Sequence, residues 1–263
     1  MRTELGIWPV RVEAEKLGEV LAQRLGGELI RPWRDFEPAE TLSQKALFQA
    51  QFGQRSQWVL VMATGIAARF IDGMLRDKHE DPAVVVLDEA GRHAIALVGG
   101  HEGGANALAY RVANAVGAIP VVTTATEAVK PLVVGIGCRK GVSEEQIERA
   151  VRYALGQGGA ATAADDLAGI REVVTVDLKA EEPGLVAFCQ RRGIPMRVIS
   201  KQQIEARPWV SKPSEWVRQS VGLDGVCEPC ALIASARGRL VVPKTTLDGV
   251  AVAIVADEWE LGS

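Results

Sequence analysis

The chain has 263 residues, a formal net charge of −3 and 48% hydrophobic residues, which are ordinary values for a globular protein of one or two domains. Neither half of the chain is predominantly basic, so we expect no nucleic-acid partner. No apolar run approaches the roughly 18 residues of a membrane span, and the amino terminus lacks the pattern of a signal peptide. We therefore expect a cytoplasmic protein with no membrane partner.

Strand-like and helix-like segments alternate through the first half of the chain. Strands are predicted at Leu5–Val10, Glu28–Trp33, Trp58–Met62, Ala83–Leu87, His93–Val98 and Pro120–Thr124. Helices are predicted at Glu13–Leu25, Thr41–Phe52, Gly65–Met74 with Thr64 as its cap, and from the glycine-rich segment to about Val116. This order favours a mainly parallel sheet with helices on both faces.

A polar stretch that contains a proline, residues 126–131, marks the predicted domain boundary, which we place after residue 128. Strands are predicted beyond it at Leu132–Ile136, Glu172–Leu178, Met196–Ser200, Leu240–Pro243 and Val250–Ala256. Helices are predicted from Ser143, which has capping-box spacing to Gln146, and at Pro183–Arg192. The predicted fold class is α/β: two three-layer α/β domains, residues 1–128 and 129–263, with largely parallel or mixed sheets.

The segment Gly99–Asn106 combines four glycines with one of the three histidines of the chain. Glycines between a strand and a helix allow backbone N–H groups to approach an oxygen anion. The predicted cradle consists of Gly99, Gly100, Gly103 and Gly104. His101 is a candidate base or proton donor because imidazole titrates near neutral pH, and Asn106 is a candidate hydrogen-bond donor. A tight strand-to-helix turn with an exposed histidine remains the structural alternative.

Two other chemistries are weighed against this hypothesis. The glycine order is G-G-x-x-G-G and not G-x-G-x-x-G, which argues against a dinucleotide-binding turn. Cys227 and Cys230 form a C-x-x-C motif, but the chain has only four cysteines and no second ligand pair with zinc spacing. We therefore expect free thiols and no bound metal.

A second glycine-rich turn, Gly135–Gly141, contains Arg139 and Lys140 and precedes a predicted helix. Free N–H groups, the helix dipole and two cations predict a site for carboxylates, with a solvated surface turn as the alternative. Cys138 beside these cations is a minor candidate for a nucleophile of lowered pKa. Other charged residues near strand ends are candidates because open α/β sheets bind ligands at such ends. These are Arg69, Lys78, Lys179, Glu182, Glu228 and Lys244.

Several blocks of the sequence resemble the cobalt-precorrin-5A hydrolase family, CbiG. In the first half they are Thr64–Arg69, Asp77-Lys78, Asp81–Gly91, Gly100–Asn106 and Thr123–Thr126. The second half resembles the C-terminal domain that this family shares with the CobE proteins, through Gly135–Gly141, Thr175–Lys179, Glu182–Leu185, Glu228 with Ala231-Leu232, and Pro243-Lys244. The chain departs from the family in lacking the usual middle module between the halves and in having Glu102 where an apolar residue is expected.

The resemblance implies a role in the anaerobic, early-cobalt route of cobalamin biosynthesis. The implied reaction opens the δ-lactone of cobalt-precorrin-5A and releases acetaldehyde to give cobalt-precorrin-5B. The corrinoid substrate carries the cobalt, so no cofactor is expected. Lactone opening needs a base and donors to the oxyanion, and we predict His101, Asn106 and Thr124 as the catalytic residues. Substrate carboxylates are expected on Arg69, Lys78, Arg139, Lys140 and Lys244, with Glu228 also in the substrate-binding set.

Two other functions remain open at this point. The chain is alternatively a non-catalytic corrinoid-binding or carrier protein of the same pathway, or a nucleotide-binding enzyme. Acetaldehyde release identifies the hydrolase, whereas tight corrinoid binding without turnover identifies the carrier. Protection against thermal unfolding by NAD or ATP identifies the third class. A homodimer is also left open.

Overall fold

The computed structural model describes residues 3–36, 42–159 and 167–257. The chain divides into two compact units, Met1–Thr124 and Ala125–Ser263, so the division falls four residues before the position predicted from the sequence. Each unit has its own sheet and its own apolar clusters. No helix within the described ranges is long and apolar enough to cross a membrane.

The first unit is built on six strands. They are β1 (Thr3–Pro9), β2 (Glu28–Leu29), β3 (Arg55–Val61), β4 (Ala83–Leu87), β5 (His93–Val98) and β6 (Ile119–Val121), and the helices are α1 (Glu15–Leu25), α2 (Gln44–Phe52), α3 (Thr64–Ile71) and α4 (Ala105–Val116). The strand order is β2-β1-β3-β4-β5-β6. Strands β1 to β4 are mutually parallel, β5 is antiparallel to β4, and β6 is parallel to β5. Strands β5 and β6 therefore end at the edge where the other four strands begin.

Helices cover both faces of this sheet. Side chains alternate along β3, so that Val59 belongs to the apolar cluster under α1 and α4 while Trp58 belongs to the cluster under α2 and α3. Phe48 of α2 lies at the centre of the second cluster, with its ring centroid 5.0 Å from that of Trp58. Burial on both faces explains the continuous apolar runs of β3 and β4. The predicted three-layer α/β architecture is confirmed for this unit.

The second unit is built on five strands. They are β7 (Leu132–Cys138), β8 (Ile170–Val176), β9 (Met196–Ile199), β10 (Arg239–Leu247) and β11 (Val250–Ala256), and the helices are α5 (Ala125–Ala128), α6 (Glu144–Gln157), α7 (Pro183–Arg192), α8 (Lys201–Glu205), α9 (Glu215–Val221) and α10 (Cys227–Ala234). The order is β10-β11-β7-β8-β9, with β7, β8 and β9 parallel and β10 and β11 antiparallel. Helices α6 and α7 cover one face, and α8 and α10 cover the other. This unit is also a three-layer α/β domain with a mixed sheet.

Helix α10 packs directly on β7, at a distance that only glycine permits. A Cβ atom added to Gly135 would lie 1.9 Å from the carbonyl oxygen of Cys227, the first residue of α10. This helix is not predicted from the sequence, because its residues, CEPCALIA, are mostly apolar without a helical period and include a proline. Pro229 is tolerated because it lies in the first turn, where a backbone N–H is not needed.

Two predicted helix caps have different outcomes. Ser143 caps α6 as predicted: its hydroxyl accepts from the Gln146 N–H at 3.3 Å, and the Gln146 side chain accepts from the Ser143 N–H at 2.8 Å. The prediction for Thr64 is wrong, because Thr64 is the first residue of α3 and Ala63 occupies the cap position. Thr41, the predicted start of the second helix, lies outside the described residues.

The close approach of α10 to β7 makes Gly135→Ala a test of the second unit. The added methyl group meets backbone, which cannot rotate away, so we expect a loss of about 3 kcal/mol in the free energy of unfolding, at the upper end of overpacking costs. Gly156→Ala in α6 is the matched control, since nothing lies within 4 Å of its added Cβ and Gly→Ala in a helix stabilises by about 0.5–1 kcal/mol. Urea unfolding followed by circular dichroism measures both. Equal stability of Gly135→Ala and wild type would contradict the close packing.

Candidate functional site

The predicted cradle, residues 99–106, joins β5 to α4 at the edge where β5 and β6 end. Gly99 and Gly104 have φ angles of 75° and 84°, a left-handed conformation that residues with side chains rarely adopt. An added Cβ would lie 2.5 Å from Thr124 Cγ2 at Gly100 and 2.7 Å from the Gly99 carbonyl oxygen at Gly103. The path of the chain therefore requires all four glycines, whether or not a ligand binds.

The backbone donors of this segment are nevertheless available. The N–H groups of Ala105 and Asn106 close the turn by donating to the carbonyls of Gly99 and Gly100 at 3.1 and 3.0 Å. The N–H groups of residues 100–104 donate to no other residue in the part of the chain that the structure describes. Several unoccupied N–H groups on a tight turn that leads into a helix are what an anion cradle requires.

Asn106 and Thr124 lie together beside Gly100. Asn106 Nδ2 donates to Thr124 Oγ1 at 3.0 Å. Asn106 Oδ1 is buried and accepts no hydrogen bond from the described residues, and it lies 3.4 Å from the position that a Cβ of Gly100 would occupy. An unsatisfied buried acceptor costs about 1–3 kcal/mol. A ligand that donates a hydrogen bond to Asn106 Oδ1 would remove this cost and would therefore bind more tightly. The structure therefore brings two of the three predicted catalytic residues into contact.

His101, the third predicted catalytic residue, is exposed and makes no hydrogen bond or ion pair with any described residue. Its neighbour Glu102 lies 3.3 Å from Lys78 Nζ and 3.1 Å from His79 Nδ1. Glu102 thus ties the turn before β4 to the cradle and brings the predicted binding residue Lys78 beside it. Arg69 is exposed on α3, where its guanidinium donates to the Gly65 carbonyl at 3.4 Å, and no hydrogen bond among the described residues joins it to the cradle.

The second unit has a pocket of about 370 Å³ at the carboxyl ends of β7 and β8. Arg139 and Lys244, both predicted to bind substrate, line it, and so does Lys179. Lys140 is exposed and is not part of the lining. This position agrees with the rule that open α/β sheets bind ligands where their parallel strands end. From the sequence, Lys179 is an ambiguous candidate, because a lysine after a strand is by default a solvated charge.

The turn Gly135–Gly141 already holds a carboxylate of this chain. The Gly141 N–H donates to Glu182 Oε1 at 2.7 Å, and Lys179 Nζ donates to Glu182 Oε2 at 3.1 Å. Burial raises the pKa of Glu182, but the Gly141 hydrogen bond and the Lys179 ammonium outweigh it and hold that pKa below its usual value. At Gly141 the turn therefore binds Glu182 of this chain, and the binding of a substrate carboxylate there stays a prediction.

All four cysteines are free and buried. Burial raises the pKa of Cys138 to about 11, against the smaller opposing effect of Lys179, so the expectation of a lowered pKa at Cys138 is wrong. Burial likewise raises the pKa of Cys227 to about 12 and that of Cys230 well above its usual value. No group of three or more His, Cys, Asp or Glu side chains among the described residues is arranged to hold a metal ion.

Glu228 has contacts that the sequence does not reveal. It is 1% exposed, and its carboxylate accepts from the Ser211 N–H at 2.9 Å, the Ser211 hydroxyl at 2.5 Å and the Lys244 N–H at 2.9 Å. These donors come from the segment before α9 and from β10. Glu228 therefore fixes two walls of the pocket, whereas its predicted contact with substrate stays a prediction.

The fold and this pocket define a protein of two α/β units with a cation-lined pocket at the strand ends of the second. Two family models match it in sequence order. The model described as Cobalamin synthesis G N-terminal matches residues 46–127, and the model described as Cobalamin synthesis G C-terminus matches residues 132–255. The chain belongs to the CbiG family of cobalamin-synthesis proteins.

Curated relatives show similarity to each part of the chain. A cobalt-precorrin-5A hydrolase of Salmonella typhimurium is 54% identical to this chain over 69 residues. The matched segment covers 26% of this chain and 20% of the Salmonella protein. Another, of Priestia megaterium, is 22% identical over 310 residues and 81% of each chain. Because this alignment is longer than the chain of 263 residues, the Priestia protein has internal residues without a counterpart here. Protein CobE of Sinorhizobium sp is 29% identical over 132 residues, 50% of this chain and 82% of CobE.

Solved structures of related proteins have low overall similarity scores. The crystal structure of CobE aligns with 48% of this chain and 89% of its own length, at 26% identity and a TM-score of 0.43. A cobalamin biosynthesis protein G homolog from Sulfolobus solfataricus aligns over 98% of both chains, at 17% identity and a TM-score of 0.37.

The contacts of Glu182 predict a pH-dependent stability. Because its folded pKa is lowered, its contribution is present above the usual Glu pKa of about 4.3 and is lost as the pH falls through the folded value. We expect Glu182→Gln to lower the free energy of unfolding by about 1–3 kcal/mol at neutral pH, and the difference from wild type to shrink on acidification.

Urea unfolding at a series of pH values measures this difference. Glu181→Gln, which removes the neighbouring exposed carboxylate, is the control and should change stability by no more than about 0.5 kcal/mol. A Glu182→Gln effect that stays constant down to pH values well below the usual Glu pKa would contradict the assignment.

Proposed function

We propose that this chain hydrolyses the δ-lactone of cobalt-precorrin-5A and releases acetaldehyde to give cobalt-precorrin-5B, in the anaerobic route of cobalamin biosynthesis. Membership of the CbiG family supports the pathway, and two curated relatives named above are cobalt-precorrin-5A hydrolases. The cradle is the candidate site for this reaction, because its N–H groups at residues 100–104 have no partner among the described residues and lie beside the buried Asn106 Oδ1. The cobalt belongs to the substrate, so the reaction calls for no further cofactor.

The cradle supplies the groups that lactone opening needs. Water adds to the lactone carbonyl as His101 takes its proton, and the N–H groups of residues 100–104 stabilise the oxyanion that forms. Collapse of this intermediate breaks the ester C–O bond and leaves a carboxylate and an alcohol. The alcohol carbon then becomes the carbonyl of acetaldehyde as its bond to the macrocycle breaks, and the macrocycle accepts the electron pair and a proton. Asn106 and Thr124 orient the lactone.

Three variants test this assignment with cobalt-precorrin-5A under anaerobic conditions. We expect His101→Ala to lower kcat by at least about 10²-fold, the usual loss for a general base. Asn106→Ala should lower it by a smaller factor of about ten, because it orients the reacting group. His93→Ala is the matched control, since His93 is an exposed histidine at the far end of β5. Acetaldehyde release measures all three rates, and full activity of His101→Ala would remove His101 from the mechanism.

A corrinoid-binding or carrier protein without catalysis is the second candidate. One observation favours it: His101 has no described partner that would fix its ring, whereas a general base is ordinarily oriented by a neighbouring group. The similarity of half the chain to CobE is compatible with either function. Tight corrinoid binding by the wild-type chain without acetaldehyde release would establish the carrier and exclude the hydrolase.

A further inference from the structure

We propose that the pocket at the ends of β7 and β8 anchors one carboxylate-bearing side chain of the ligand and takes no part in the bond-breaking steps. Lys179 and Lys244 are its cationic contacts, and Glu228 is the positioning residue that holds its walls. The proposal rests on the proposed function only in taking the ligand to be a tetrapyrrole with several acetate and propionate arms. It assigns to the second unit a task separate from that of the cradle.

The charge of the lining favours an anion. Lys244 is partly buried, and its ammonium group makes no hydrogen bond or ion pair with any residue in the described ranges. The Lys179 ammonium is held by Glu182 at 3.1 Å. The carboxylate of Asp248, which also lines the pocket, is bound by Arg149 at 2.9 Å. The Lys244 ammonium therefore has no ion-pair partner among the described residues, and pairing with a ligand carboxylate would offset the cost of its desolvation.

The size and the remaining surface select the part of the ligand. A volume of about 370 Å³ is near the lower end of the roughly 300–1,000 Å³ of small-molecule sites, so it suits one arm and an edge of a macrocycle. Val176, Val217, Val226 and Val250 provide apolar contacts for the methylene groups of such an arm. The thiol of Cys138 in the lining stays protonated, because burial raises its pKa to about 11. The pocket therefore offers binding groups but no activated nucleophilic thiol.

Glu228 sets the distance between the walls. The Lys244 N–H and both donors of Ser211 converge on its carboxylate, and Ser214, three residues beyond Ser211, lines the pocket. Because Glu228 is 1% exposed and its carboxylate already accepts from these donors, its role here is to position the two walls. Replacement by Gln removes the charge and turns an amide donor toward backbone donors, which would loosen both walls.

Binding of two corrinoids that differ only in charge tests the anchor. The probes are cobyrinic acid, whose peripheral carboxyl groups are free, and its heptaamide, measured by titration calorimetry with the full chain. We expect wild type to bind the acid at least about tenfold more tightly than the amide, and Lys244→Met to lose about tenfold in affinity for the acid and nothing for the amide. Lys244→Arg should restore most of the loss. Lys212→Met, at an exposed lysine outside the lining, should bind both probes as wild type does.

Kinetics separate the anchor from the cradle. With cobalt-precorrin-5A, Lys244→Met should raise KM about tenfold and leave kcat unchanged. Glu228→Gln should weaken binding of the acid in the same way, and its thermal unfolding shows whether the second unit remains folded. Equal affinity of Lys244→Met and wild type for the acid would overturn the anchor even if acetaldehyde is released. If wild type prefers the acid through Lys244 but releases no acetaldehyde, the anchor stands and the proposed hydrolase activity fails.

Discussion

The second unit depends on the direct contact between helix α10 and strand β7. Gly135 has no side chain, so the backbone of Cys227 lies where a Cβ atom would otherwise be. This contact buries Glu228 one residue later in the chain, and a buried carboxylate is tolerated only when donors satisfy it. Ser211 and Lys244 provide those donors and are fixed in return. One missing methyl group thus determines where two walls of the pocket lie.

The first unit depends in a similar way on the reversal of β5. Since β5 runs antiparallel to β4, its end and that of β6 lie at the edge where β1, β3 and β4 begin. The turn before β4 lies at that same edge, which is why Lys78 and His79 reach Glu102. It is also why Asn106 at the start of α4 meets Thr124 just beyond β6. Both candidate sites therefore lie at strand ends, but the cradle belongs to the reversed pair of strands.

Much of the fold was predictable because local signals and burial agree. The strands Ala83–Leu87 and His93–Val98 and the helix Pro183–Arg192 have the same bounds in sequence and structure, since apolar runs between turn residues and a proline at a helix start are local features. Helix α10 was missed because its mostly apolar residues show no helical period. In the candidate site, the cradle was predictable because its glycines are neighbours in the sequence, and the order of the strands then brings Asn106 next to Thr124. The burial of Glu228 and the hydrogen bond from the Gly141 N–H to Glu182 were not predictable, because they depend on contacts between distant segments.

The sequence by itself determined the α/β class, the two-unit organisation, the capping of α6 and the resemblance to the CbiG family, because periodicity, turn residues and ordered motifs are carried by neighbouring residues. Only the tertiary structure decided which charged residues are free to meet a ligand. Glu182 is held by the Gly141 N–H and by Lys179, Glu228 is buried under its own donors, and the Lys244 ammonium makes no ion pair with any described residue. The physical reason is that the availability of a charge depends on burial and on partners far away in the chain, neither of which its own sequence neighbours specify.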